Sequence, residues 1–214
     1  MKKILFNVVP FVVSVLVWFF YEDGNSYSAI TVICLLILQP VAFPGISLPF
    51  NIMAGSTMGW AYGFFFSYIG WVIGTCLTYW MYQIFDLTFK PRRQAEIKKL
   101  LEQRWWFVAS LSVTPVLPID SVARFVIATR IMSFSGLMRT MLITAPFSRF
   151  PPCFFGEIDY SNLFSPSMWS YHNSISIAIY IVYFAIGGVV TIKEWPYIKR
   201  IKDLFLRKEI SNIV

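Results

Sequence analysis

The chain has 214 residues, of which 57% are hydrophobic, 19% aromatic and only 14% charged. A soluble domain carries about 25% charged residues, so this composition excludes an ordinary soluble protein and indicates an integral membrane protein. The formal net charge of +7 could suggest a nucleic-acid partner. However, the basic residues lie in short segments beside apolar ones, as a membrane orientation signal requires. We therefore expect a single membrane domain over residues 1–214 and no nucleic acid.

Five apolar windows are long enough to cross a bilayer, which takes about 20 mostly apolar residues in a helix. They lie at residues 4–21, 26–43, 51–85, 134–155 and 175–192. The first window has the charged start of a signal peptide, but no convincing cleavage site of small residues follows it. We interpret it as a retained membrane anchor.

Basic clusters predict the orientation of the chain. Lys2 and Lys3 precede the first window, residues 90–104 form the largest basic loop, and residues 199–208 lie near the C-terminus. The positive-inside rule places such clusters in the cytoplasm. Both termini and the central basic loop are therefore expected to be cytoplasmic in a multi-pass protein.

A first proline-rich break, at residues 39–51, separates the second and third windows. Proline removes a helical N–H donor and disfavours helix in the residue before it. We expect one helix to end near Phe43 and the next to begin near Leu48. The third window is too long for one comfortable span and contains no charged turn, so we interpret it as a half-helix running into a full span.

A second break follows the central basic loop. Residues 105–113 are too few to cross the bilayer, Pro115 and Pro118 interrupt the segment, and residues 121–132 lead back toward the basic side. This order predicts a re-entrant hairpin over residues 105–132 that enters from the cytoplasm.

The fold predicted from these windows is an all-α membrane protein with about four full transmembrane helices and two opposed re-entrant hairpins, near residues 39–60 and 105–132. Counting crossings alone also allows three full spans between residues 26 and 90. Irregular backbone at membrane depth is tolerated only where protein or water satisfies its polar groups. Both breaks should therefore face a hydrated cavity, and their predicted tips contain Pro44, Gly45, Pro49, Pro115 and Pro118.

Ionisable residues inside a membrane are functional candidates, because a charge at the bilayer centre costs several kcal/mol. Asp120 either caps a half-helix that begins at Ser121 or handles substrate or protons, and both roles stay open. Arg124 follows one helical turn later, where it can pair with Asp120 or hold a phosphate. Arg149 lies within a window rich in proline and should turn inward toward Asp120 or Glu157.

The remaining charged residues are placed nearer the surface. Arg130 and Arg139 are expected at the cytoplasmic interface, with Arg130 the stronger candidate for substrate contact. No catalytic triad, metal motif or phosphate-cradling glycine loop is present. We therefore expect no enzyme activity, no catalytic residue, no metal and no cofactor. The candidate substrate-binding residues are Asp120, Arg124, Arg130, Arg149 and Glu157.

Residues 39–157 resemble the DedA family, also called the VTT-domain or SNARE-associated Golgi protein family. The first part of the resemblance is a Pro-Gly pair, an Ala-Gly pair and a helix with regularly placed glycines. The second part is a Pro-x-x-Pro-x-Asp segment followed by Ala-Thr-Arg. These residues are Pro44, Gly45, Ala54, Gly55, Gly59, Gly63, Gly70, Gly74, Pro115, Pro118, Asp120, Ala128, Thr129 and Arg130.

The resemblance implies a lipid translocase, either a flippase or a scramblase. Its substrate would be a phosphate-bearing lipid, such as polyprenyl phosphate or a phospholipid, in a bacterial inner membrane. Membrane lipids are the expected partners, and a second copy or another membrane protein stays open as a further one. An alternative is a non-transporting membrane subunit or assembly factor that packs in a larger complex through its glycine-rich helix over residues 55–74.

Overall fold

The computed structural model describes residues 26–43, 46–87, 119–156 and 171–206, together with positions 12, 95–97 and 99. The described residues are all-helical and contain no strand. The helices are α1 (Ser26–Ala42), α2 (Leu48–Ile84), α3 (Ile119–Thr129), α4 (Phe134–Gly156) and α5 (Tyr171–Leu206).

Several predictions fall on residues outside this description. They concern the first apolar window, most of the central basic loop, and the individual residues Pro44, Gly45, Pro115, Pro118 and Glu157.

The first proline-rich break lies where the sequence predicts it. Helix α1 ends at Ala42 and α2 begins at Leu48. Pro49 lies in the first turn of α2, where a helix tolerates proline because the missing N–H would have no intrahelical partner. Pro49 therefore belongs to the start of the helix that follows the break.

Helix α2 consists of two arms that meet at Gly59, whose backbone is not helical (φ 76°, ψ 158°). This conformation is open to glycine and strained for other residues. A Cβ placed on Gly63 would lie 2.7 Å from the carbonyl carbon of Ala54, although about 13 Å of helix rise would separate these residues in a continuous helix. The first arm, residues 48–58, therefore folds back against the second arm, residues 60–84.

Helix α1 lies beside the second arm and runs in the same direction. Gly70 faces Leu36, and four residues later Gly74 faces Ile37 and Pro40. Because the residue numbers rise together in both helices, the two are parallel. Helix α1 and the first arm thus form a helical hairpin packed along the second arm.

Helix α4 runs antiparallel to the second arm. Phe134, at its start, stacks on Tyr79 with ring centroids 4.1 Å apart, whereas Cys153, near its end, lies 3.5 Å from the hydroxyl of Ser67. The structure therefore brings the start of α4 to the later part of the second arm and its end to the earlier part.

The second arm exposes apolar side chains and buries mostly small or polar ones, the reverse of a surface helix in a soluble protein. Hydrocarbon tails solvate the exposed face of such a helix. Two helices, Leu48–Ile84 and Ser174–Arg200, are long and apolar enough to be candidate membrane spans within the described part of the chain. The exposed residues of the second arm recur at helical spacing: Tyr62, Phe65, Ile69, Ile73, Leu77, Trp80 and Ile84.

The tight packing at Gly63 predicts a large effect of a single methyl group. Gly63→Ala should lower the stability of the protein by about 1–3 kcal/mol, because the new Cβ would overlap the backbone of the first arm. Gly188→Ala is the matched control, since nothing lies within 4 Å of a Cβ at Gly188 in α5. Alanine is also the better helix former there. Thermal denaturation of the detergent-purified protein measures both changes, and equal stability of the two variants would contradict the reversal at Gly59.

Candidate functional site

A buried ion pair joins α3 to α4. The Nη2 atom of Arg149 lies 3.0 Å from Oδ1 of Asp120, and each residue is only 1% exposed. The sequence predicts that Arg149 turns inward toward a carboxylate, and Asp120 is the partner that the structure shows. We call Asp120 and Arg149 the buried pair.

Close helix packing brings Arg149 to this position. Helix α4 approaches the first arm so tightly that a Cβ on Gly55 would overlap the carbonyl oxygen of Cys153, and a Cβ on Gly156 would overlap that of Ile52. Glycine at both contact points lets the two backbones meet. Arg149 thereby comes within reach of the first arm as well as of α3.

Two amide side chains from other helices form hydrogen bonds to the buried pair. Gln39, in α1, donates from Nε2 to Oδ2 of Asp120 at 2.9 Å and to the carbonyl oxygen of Phe43 at 3.0 Å. Asn51, in the first arm, accepts from Nη1 of Arg149 at 3.1 Å. Both oxygens of the carboxylate are therefore engaged by side chains from other helices.

Sequence reasoning misses Gln39 and Asn51 as members of the site. A signal was present, since both are polar residues in apolar surroundings, and they stand at the two ends of the first proline-rich break. Amides at those positions predict hydrogen bonds across the break, but the sequence does not name their partners.

Trp71 forms the floor of the site. The Cζ atom of Arg149 lies 5.5 Å from its ring centroid, a distance at which a cation and an indole attract each other. Trp71 is fully buried and lies about 16 Å along the second arm, whose length is about 37 Å. The buried pair is therefore close to the middle of the second arm.

Four buried polar atoms near the pair lack a hydrogen-bond partner among the described residues. Three belong to Gln39 (Oε1), Trp71 (Nε1) and Arg149 (Nε), and the fourth is Oγ1 of Thr75, one helical turn after Trp71. A buried polar group without a partner costs about 1–3 kcal/mol. The site therefore keeps unused donors and acceptors suited to a polar ligand.

Arg124 lies one turn beyond Asp120 in α3, as predicted. Its Nε atom donates to the hydroxyl of Tyr82 at 3.1 Å and its Nη1 atom to the carbonyl oxygen of Val41 at 3.3 Å. These two contacts tie α3 to the second arm and to the end of α1.

Arg130 lies at the opposite end of α3 from Asp120, about 15 Å away along the helix. Its Nη2 atom donates to Oε1 of Gln83 at 2.7 Å, and its backbone has a positive φ of 50°. Both Arg130 and Arg139 are exposed. The predicted site residues thus divide into the buried pair, Arg124 close to it, and a distant Arg130.

A comparison with protein families identifies the class of this site and fold. Residues 43–157 match the model of the VTT domain, which covers more than half of the 214 residues. The chain therefore belongs to the VTT-domain family, the DedA or SNARE-associated family. No curated protein and no solved structure matches the chain.

The buried pair predicts strong energetic coupling between α3 and α4. Asp120→Asn or Arg149→Gln alone should each destabilise the protein by about 3–5 kcal/mol, because each leaves an uncompensated buried charge. The double variant should lose less than the sum of the two. Thermal unfolding in detergent gives all three values, and strict additivity would contradict the pairing. Arg139→Gln, an exposed arginine on α4, is the matched control and should change stability little.

Proposed function

We propose that the protein is a lipid translocase, a flippase or scramblase that moves a phosphate-bearing lipid between the two leaflets of a bacterial inner membrane. The observation that carries this proposal is the buried pair itself. A carboxylate and a guanidinium lie beside the middle of the second arm, next to amide side chains and to buried polar atoms without partners among the described residues. Intramembrane charges of this kind mark the paths of polar substrates.

The helix arrangement supports a re-entrant reading of the first break. Helix α1 has 17 residues and is about 25 Å long, and the first arm is only about 16 Å long. Both lie beside the second arm, and Pro40, near the end of α1, packs against Gly74, which precedes Ile84 by almost three helical turns. On this proposal α1 and the first arm enter from the outer face and return to it.

Helix α3 supports a second element of the opposite direction. It has 11 residues, about 16 Å, and runs from the buried pair to Arg130 and Gln83, near the Ile84 end of the second arm. It is the returning half of the proposed cytoplasmic hairpin. On this proposal the protein has four full spans and cytoplasmic termini. The full spans are the second arm and the windows at residues 4–21, 134–155 and 175–192.

The chemistry of the pair suits a phosphate headgroup. Arginine binds phosphate through parallel N–H donors, and Arg149 has an Nε–H without a partner among the described residues. A headgroup that reaches the site can accept a hydrogen bond from Arg149 while Asp120 keeps its hydrogen bond from Gln39. The acyl tails stay against the apolar outer face of the helices, so only the headgroup crosses the polar region.

The alternative, a non-transporting subunit, was based on the glycine-rich segment at residues 55–74. Four of these glycines contact other parts of the same chain: Gly55, Gly63, Gly70 and Gly74. The alternative requires these glycines to pack against another protein. In this structure they pack against helices of the same chain. Translocation remains the function that the geometry supports better.

Leaflet exchange of labelled lipids in liposomes tests the proposal. Reconstituted protein should accelerate exchange of a labelled phospholipid or of polyprenyl phosphate. Arg149→Gln should reduce the rate at least about 10-fold, since loss of a charge-assisted contact to phosphate costs about 1.5–3 kcal/mol.

Arg139→Gln removes the same charge from the same helix at an exposed position, and should keep the wild-type rate. Samples are matched for folded protein by size-exclusion chromatography before reconstitution. Absence of acceleration by the wild-type protein for both lipid classes would refute translocation. A wild-type rate of lipid exchange in the Arg149→Gln protein would show that the buried pair is not part of the lipid path.

The proposed orientation is tested by cysteine labelling in a background without Cys34, Cys76 and Cys153. Ser56→Cys, in the first arm, should react with a membrane-impermeant maleimide added from outside the cell. Ser135→Cys, at the start of α4, should react only after the inner face is opened. Both serines are exposed, and labelling of both from the same side would contradict the four-span arrangement.

A further inference from the structure

A second polar site lies at the far end of α3, away from the buried pair. It is a pocket of about 390 Å³ between the second arm, α3 and the start of α4. This volume is within the range of about 300–1,000 Å³ found for small-molecule sites. Its lining residues are Tyr79, Gln83, Val126, Ile127, Arg130, Met132, Ser133, Phe134 and Leu137.

One side of the pocket is polar and positively charged. Arg130 donates a hydrogen bond to Gln83, and its guanidinium brings a permanent positive charge to the pocket. Ser133 accepts the N–H of Gly136 at 3.1 Å, which leaves its own O–H as a donor. Among the described residues that line the pocket, none is acidic. The polar side therefore favours an anion.

The other side of the pocket is apolar. Tyr79 and Phe134 stack on each other at 4.1 Å and form a flat wall, and Val126, Ile127 and Leu137 continue it. A free inorganic anion would gain nothing from this wall. A molecule with a phosphate at one end and hydrocarbon at the other matches both sides.

We propose that this pocket binds the phosphate headgroup of a phospholipid, with Arg130 and Ser133 on the phosphate and the Tyr79–Phe134 wall against the first carbons of the lipid. Its assignment to the cytoplasmic leaflet, as the place where a lipid waits before it reaches the buried pair, rests on the function and orientation proposed above. The proposal that the pocket binds a phospholipid does not depend on that function or orientation.

Native mass spectrometry of the full-length protein in detergent, titrated with phosphatidylglycerol, tests the pocket. Arg130→Gln should weaken binding about 10-fold, since it removes a charge-assisted hydrogen bond. Gln83→Trp should weaken it equally by filling the pocket while the charge of Arg130 remains. Gln83 is exposed, so folding should tolerate this change.

Arg139→Gln is the matched control, because Arg139 is exposed and does not line the pocket. It should bind phosphatidylglycerol as the wild type does. A glycolipid without phosphate should bind at least about 10-fold more weakly than phosphatidylglycerol. Binding of inorganic phosphate that is as tight as binding of phosphatidylglycerol would show that the pocket takes a free anion, and would overturn the proposal.

Two further outcomes separate this inference from the proposed function. Equal weakening by Arg130→Gln and Arg139→Gln, or unchanged binding in Arg130→Gln and Gln83→Trp, would overturn the pocket even where the wild type accelerates leaflet exchange. Binding that both pocket variants lose, in a protein that exchanges no lipid in liposomes, would support the pocket and refute translocation.

Discussion

The ion pair between Asp120 and Arg149 is the interaction on which the rest of this structure depends. Two charges buried among the helices of a membrane protein are tolerated only when they are paired and hydrogen-bonded. Five helical elements meet at the pair and supply the side chains that satisfy this condition. These side chains are Gln39 from α1, Asn51 from the first arm, Trp71 from the second arm, Asp120 from α3 and Arg149 from α4. The broken helices are the means by which these side chains reach one point.

Glycine makes this convergence sterically feasible. The first arm folds back only because Gly59 adopts a positive φ, and it packs on the second arm and on α4 only because Gly63 and Gly55 have no side chain. Close backbone contact of this kind is how membrane helices associate without a hydrophobic driving force. The glycine pattern therefore has a structural role in this chain, because it allows the first arm to pack beside the buried pair.

The sequence predicts the helix ends around residues 43–48 and the inward turn of Arg149, because both depend on local chemistry. Proline interrupts a helix, and a charged side chain is unfavourable in contact with lipid. The sequence also predicts a half-helix followed by a full span within residues 51–85, but it does not identify Gly59 as the point of reversal, since a glycine in a regular helix gives the same pattern. Gln39 and Asn51 were missed for a related reason. Their role depends on which helices become neighbours, and spacing along one chain does not contain that information.

Helix α3 links the two polar sites physically. An isolated helix of 11 residues is not stable by itself, so α3 is held by its contacts, with Asp120 bound to α1 and α4, Arg124 to Tyr82, and Arg130 to Gln83. Apolar side chains of α3, among them Val126 and Ile127, add to these contacts by packing in the main apolar cluster. On the proposed function, a ligand that takes Arg149 away from Asp120 would remove one of the polar attachments of α3. Because α3 forms one side of both sites, it is the element through which the buried pair and the pocket around Arg130 would affect each other.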